Sequence, residues 1–132
     1  MKVNIATPNG EIYNSTDIKM VVLNTHSGSI GIMKNHEPTV ATLKIGVLKI
    51  VDNKEKNHYF AVSEGFSECH SEEVSIMVQT AEEASSIDKL RAEKSKQRAE
   101  ERLAKKEQGL DIKRAEISLL KAVTRLKVAK LK

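Results

Sequence analysis

Aromatic side chains are almost missing from this 132-residue chain, which has no Trp and only two Tyr and two Phe. With 39% hydrophobic residues a core can still form, but it must be aliphatic. A single cysteine, Cys69, excludes an internal disulfide framework and a Cys-based zinc ribbon, and suits a reducing compartment. Its neighbour His70 adds no metal or catalytic pair, because adjacent strand residues point to opposite faces. No apolar run approaches the roughly 18 residues that a membrane span needs. The opening MKVNIATPNG lacks the apolar region of a signal peptide, so a soluble, non-exported chain without direct membrane insertion is expected.

Enzyme signatures are also lacking. There is no Gly-rich phosphate loop, no G-x-S-x-G, no H-E-x-x-H and no dinucleotide fingerprint. His26, His36, His58 and His70 are scattered, and none has a helical partner three or four residues away. No nucleophile, base and oxyanion set emerges, so a non-catalytic protein with no metal ligands is expected.

Arginine is absent from residues 1–84, which carry seven Lys against eleven Asp plus Glu, an excess of four negative charges. Residues 85–132 carry ten Lys and five Arg against seven acids, an excess of eight positive charges. The net +4 therefore averages an acidic unit and a basic one. A basic unit attracts polyanions of any kind, from nucleic acid to a nucleotide.

Hydrophobic periodicity changes at the same place. Val3 and Ile5, Ile18, Met20 and Val22, Phe60 and Val62, and Val74, Ile76 and Val78 alternate with their neighbours, as half-buried strands do. Pro8-Asn9-Gly10, Ser27-Gly28, Gly31, Gly46, Asp52-Asn53 and Glu64-Gly65 are turn signals between them. Short strands at this spacing predict a β-sandwich or barrel with no helices over its edges.

From Thr80 the chain is made of strong helix formers. Ser85 and Asp88 stand in the capping-box relation. Ala92, Ser95, Ala99 and Leu103 form a narrow stripe of mostly small residues, which lets a second helix approach closely. Gly109 interrupts the pattern. Ile112, Ala115, Leu119, Ala122, Leu126 and Ala129 then step by 3 and 4 along a heptad seam. The economical reading is an antiparallel α-helical hairpin turning at Gln108-Gly109. A second apolar set, Ile117, Leu120, Val128 and Leu131, lies on another face, so one partner cannot bury everything. Short helices with an Ala/Ser interface are marginal alone, and a hairpin held so weakly can be closed by a ligand or opened by a better partner.

Arg91 and Arg98 share one helical face, and Lys121 and Arg125 share another. A hairpin brings the two pairs together, and four gathered cations call for an anion, for which polyphosphate is a natural candidate. In the stretch IDKLRA, Ile87–Ala92, the acid Asp88 has two readings: a helix-start residue or part of such a site. Two rival classes stay open, a stand-alone hairpin interaction protein and a basic nucleic-acid binder. The helices lack stacking aromatics and interleave Glu93, Glu100, Glu101, Glu107 and Glu116 among the cations, which weighs against nucleic acid.

SGSIGIMKNHEPTVATLKIGVL (Ser27–Leu48), FAVSEGFSEC (Phe60–Cys69) and the helical region from Ala81 onward resemble the epsilon subunit of bacterial rotary ATP synthases. Lys34-Asn35 stands where Pro-Gly is usual, and Glu64 where Gly is frequent. The resemblance implies about ten sandwich strands over residues 1–84 and a regulatory two-helix unit over 85–132. It implies a central-stalk position between the gamma subunit and the c-ring, peripheral on the cytoplasmic face of the bacterial cell membrane. Ser29, Gly31 and His36 would lie on a partner-facing loop.

Some family members bind ATP on the folded hairpin through Ile/Leu-Asp-x-x-Arg-Ala, and Ile87–Ala92 match it. The resemblance thus implies Glu82, Asp88, Arg91, Ala92, Arg98, Lys121 and Arg125 as contacts for regulatory ATP, with or without Mg. Lys121 replaces the arginine of well-binding relatives, keeping the charge and losing the planar fork. With little ATP the last helix would extend toward the alpha and beta subunits, where Arg114 and Lys127 meet acidic loops and oppose hydrolysis.

Overall fold

The computed structural model describes residues 1–105 and 111–131. Ten strands come first: β1 Lys2–Thr7, β2 Gly10–Ser15, β3 Ile18–Thr25, β4 Gly28–Met33, β5 His36–Leu43, β6 Gly46–Asp52, β7 Asn57–Val62, β8 Gly65–Ser71, β9 Glu73–Val78 and β10 Ala81–Glu83. A 3-10 turn, Ala84–Ser86, leads to helices α1, Lys89–Lys105, and α2, Ile112–Ala129. The expected sandwich and helical hairpin are both present. The turn expected at Gln108-Gly109 lies outside the described residues.

The strands are hydrogen-bonded in the order β10-β7-β6-β3-β5-β8-β9-β1-β2, with β4 added to β3. Strands β3 and β5 meet only at Thr25 and Leu43, and this weak joint lets the sheet fold over into two layers. Strand β1 runs parallel to β9, placing Val3 beside Val74 and Ile5 beside Ile76. All four side chains are fully buried. Phe60 lies at the centre of the aliphatic core, with Tyr13 edge-on at a centroid distance of 5.2 Å. Gly65 admits no side chain, because an added Cβ would meet the Met77 carbonyl oxygen and stand 2.7 Å from Val78 Cα.

Three local expectations are corrected. In β3 the register shifts between Ile18 and Met20, which reverses the inward face beyond Ile18. Val21 and Leu23 enter the core, while Met20 and Val22 are half-buried. Gly31 is a strand residue rather than a turn, so Ser29 and Gly31 stand exposed on β4 and His36 opens β5, none of them on a loop. Lys34-Asn35 does form a turn, with Asn35 in the left-handed region at φ 68°.

The third correction concerns the outer surface of the sandwich. Phe60, Ala61 and Val62 are buried consecutively, which alternation does not predict. Ala61 faces outward into a second cluster with Ala84, Ile87 and Val128, joined by Val47, Tyr59 and Ala129. Helix α2 therefore covers part of the sandwich. Its hairpin seam contains Ala115 and Ala122 against Ala92 and Ala99 of α1, all buried, while Ile112 at the expected seam start is 51% exposed. Val128, from the second apolar set, is instead wholly buried.

Candidate functional site

A cavity of about 470 Å3 separates Leu120, Val123 and Lys127 of α2 from Lys44 and Val47 of the sandwich, and two smaller, adjoining ones lie toward α1. The larger of these two, about 290 Å3, sits where β7, β10, α1 and α2 converge. Ile45, Ala61 and Val62 give it an apolar side. Ser63, Thr80, Glu82, Lys121, Thr124 and Arg125 give it a polar one. The second, about 190 Å3, continues between the helices and is lined by Arg98, Ala99, Arg102 and Ala115. Ser95 of α1 and Ser118 of α2 border both. An apolar shelf leading into a basic cleft suits an amphiphilic anion with a flat apolar part and a charged tail.

One ion pair crosses the larger cavity and joins the two units. Arg125 Nη2 of α2 donates to Glu82 Oε2 of β10 at 3.0 Å. Arg125 Nε, itself buried, stands 2.9 Å from Glu82 Oε1, so one side of the guanidinium faces both carboxylate oxygens. The pair is charge-assisted and only partly exposed, at 23% and 36%.

The structure sorts the expected site residues by place. Glu82, Lys121 and Arg125 border the larger cavity, and Arg98 borders the smaller, with Nη2 3.4 Å from Ser95 Oγ. Arg91 is exposed and borders neither cavity. Asp88 is the N-cap of α1, where its Oδ1 accepts from Arg91 N at 3.1 Å and its carbonyl accepts from Ala92 N at 3.0 Å. The Ser85–Asp88 capping box is therefore corrected: the helix begins one residue after Asp88, which itself caps it. Ala92 is fully buried and lines neither cavity. Arg114 and Lys127 are exposed on α2.

Sequence reasoning missed Ser118, Thr124 and Arg102 as cavity residues. Ser118 and Lys121 do follow Arg114 by helical steps, a signal that could have found the first. It also missed a cluster near the junction of the units. His58 Nε2 lies 3.0 Å from Asp52 Oδ2 and its Nδ1 lies 4.0 Å from Glu83 Oε1. Asp52 Oδ1 also accepts from Lys54 N and Lys56 N, each at 2.9 Å. The His58 hydrogen bond, helped by those amides, holds the Asp52 carboxyl below its ordinary range. Across the sandwich, Cys69 is buried 4.0 Å from His36 Nδ1, and burial pushes its thiol up, away from the reactive thiolate.

Two family models match consecutive parts of the chain. One, described as "ATP synthase, Delta/Epsilon chain, beta-sandwich domain", matches residues 1–84. The other, "ATP synthase, Delta/Epsilon chain, long alpha-helix domain", matches residues 85–130. The chain belongs to the ATP synthase delta/epsilon chain family. An ATP synthase epsilon chain of Staphylococcus saprophyticus is 47% identical over 131 residues, covering 99% of this chain and 97% of the relative. One from Macrococcus caseolyticus is 45% identical over 131 residues, covering 98% and 96%.

Fold likeness extends further than sequence. A chain of the Euglena gracilis mitochondrial ATP synthase, solved with OSCP, F1 and c-ring, has a TM-score of 0.82 at 22% identity, covering 98% of this chain and 80% of that one. A central-stalk/c-ring structure of the Tetrahymena thermophila enzyme gives a TM-score of 0.58 at 18% identity, covering 99% and 94%. Among the described residues, no delta/epsilon-chain helix is long and apolar enough to cross a membrane.

Proposed function

We propose that this chain is a non-catalytic rotor subunit whose sandwich couples the gamma subunit to the c-ring on the cytoplasmic membrane face. Its hairpin senses ATP. The membership of the family supports the first part. The observation that carries the second is the cavity of about 290 Å3, which only the closed hairpin assembles: Glu82 comes from the sandwich, Lys121 and Arg125 from α2, and Ser95 from α1. A base fits the Ile45–Ala61–Val62 side, and the phosphates fit the cleft toward Arg98, with or without Mg. Because the ligand contacts both helices and the sandwich, it favours the closed form over any form with the helices parted.

ATP acts here as a regulator. At 100 times its dissociation constant for the closed form it supplies about 2.7 kcal/mol, enough to tip a marginal hairpin. When ATP falls, α2 leaves the sandwich and carries Arg114 and Lys127 toward the alpha and beta subunits.

Titrating the full chain with ATP while following the distance between α2 and the sandwich tests this. Closure is expected at millimolar ATP or below. Arg98→Ala should weaken it about tenfold or more, by loss of charge-assisted contacts. Lys121→Arg should strengthen it by restoring a fork. Lys89→Ala, at the first position of α1, should change little. Equal effects at Lys89 and Arg98 would reduce the site to charge screening, and no closure at all would remove ATP sensing.

A further inference from the structure

The cavity of about 470 Å3 between α2 and the sandwich lies beside the one that Glu82 and Arg125 border. We propose that it is a binding site for a single-chain organic anion, an alkyl carboxylate of medium length, which holds α2 against the sandwich. The proposal does not depend on the nucleotide reading.

The walls set the apolar part of the ligand. Leu120, Val123, Thr124 and Lys127 follow helical spacing along α2, so they share one face about 10 Å long. Val22 of β3, Ile45 before β6 and Val47 within it form the facing wall. Leu120 is 48% exposed and Val123 40%, so this apolar surface still meets water although α2 is docked. An alkyl chain laid between the walls covers both at once. A cavity of this size falls in the range of small-ligand pockets, whereas a protein partner needs on the order of 1,000 Å2 of contact surface.

The charges set the sign. Among the described residues no acid lines the cavity, while Lys44 and Lys127 line it from opposite walls, both exposed. Neither lysine has an ion-pair partner among the described residues. Lys44 is placed beside Asn24, whose carbonyl accepts from Lys44 N at 3.1 Å. The Asn24 side chain lies over Gly46, where an added Cβ would collide with it, so an amide donor stands at the same wall. An ammonium and an amide suit a carboxylate, and two cations without an acid reject an alkyl cation.

One wall belongs to α2 and the other to the sandwich, so the site exists only while α2 is docked. A ligand that binds only that form favours it. Ile45 and Thr124 also border the neighbouring cavity, but Glu82, Lys121 and Arg125 do not line this one.

The test is a calorimetric titration of the nucleotide-free full chain with alkyl carboxylates below their micelle concentrations. Probes on α2 and the sandwich report closure. Decanoate should bind saturably at one site, and affinity should rise about fourfold for each methylene from hexanoate to decanoate. Decyltrimethylammonium should not bind. Lys44→Gln and Val123→Ser should each weaken decanoate about fivefold or more, whereas Lys54→Gln, on the turn between β6 and β7, should change nothing. Saturating decanoate should raise the closed-to-open ratio. Equal binding of the alkyl cation, or undiminished binding by both Lys44→Gln and Val123→Ser, overturns the site. Binding without a gain in closure overturns the bridging of α2 and the sandwich. Attachment to phosphatidylglycerol vesicles without binding of decanoate overturns the proposal in favour of an anionic membrane surface. ATP is absent throughout, so each of these failures is distinct from a failure of nucleotide sensing.

Discussion

Asp88 has a complete structural duty, since its side chain and carbonyl both accept from the first turn of α1. Asp88→Ala should cost about 1 kcal/mol of helix stability, whereas Asp88→Asn should cost almost nothing, because Asn caps equally well. Hydrogen exchange of the Arg91 to Ser95 amides checks this. Loss of ATP-driven closure in Asp88→Asn with those amides still protected would show a duty of the carboxylate beyond the cap. At this scale the sequence was readable where chemistry is local. The IDKLRA stretch announces a helix start, and the Ala and Ser spacing of α1 announces a close partner. It was silent where partners are distant: nothing in the spacing of His58, Asp52 and Glu83 shows that the fold gathers them, nor that Glu82 meets Arg125. Arg91, chosen by its shared face with Arg98 and by motif, borders neither cavity, because its helix turns that side chain to the surface.

The elements were legible in type and less so in facing. Alternation identified the strands, but the register shift in β3 reversed the inward face beyond Ile18, and a bulge leaves no mark in a hydrophobic pattern. The same limit applied to α2. Two apolar faces were visible in sequence, and only the fold shows which meets the sandwich. Val128, wholly buried between Ala61 and Ile87, is the apolar anchor. Val128→Ala should loosen α2 by about 1–3 kcal/mol and leave the sandwich intact, since the removed methyls come from the small outer cluster alone. Hydrogen exchange should then speed up along α2 but not in β1, β8 or β9. Equal acceleration in those strands would show that the hairpin and the sandwich unfold as one unit.

At the scale of the whole molecule, the acidic sandwich carries its pH response in the turn between β6 and β7. The Asp52 carboxyl is held below its ordinary value by His58 and two amides, so its contribution is present above about pH 4 and is lost as pH falls through the lower folded value. The stability gap between wild type and Asp52→Asn should therefore be largest near neutrality and shrink below about pH 4, as urea midpoints measured across pH will show. A gap that is constant with pH would reduce Asp52 to an uncharged turn former. The ion pair and the apolar cluster that join helix α2 to the sandwich lie toward its far end, at Arg125, Val128 and Ala129, while Ala115 is buried nearer its start. A tug on the near end thus acts through a long arm on a short grip. Release under mechanical load would come as one abrupt rupture, not as gradual unzipping.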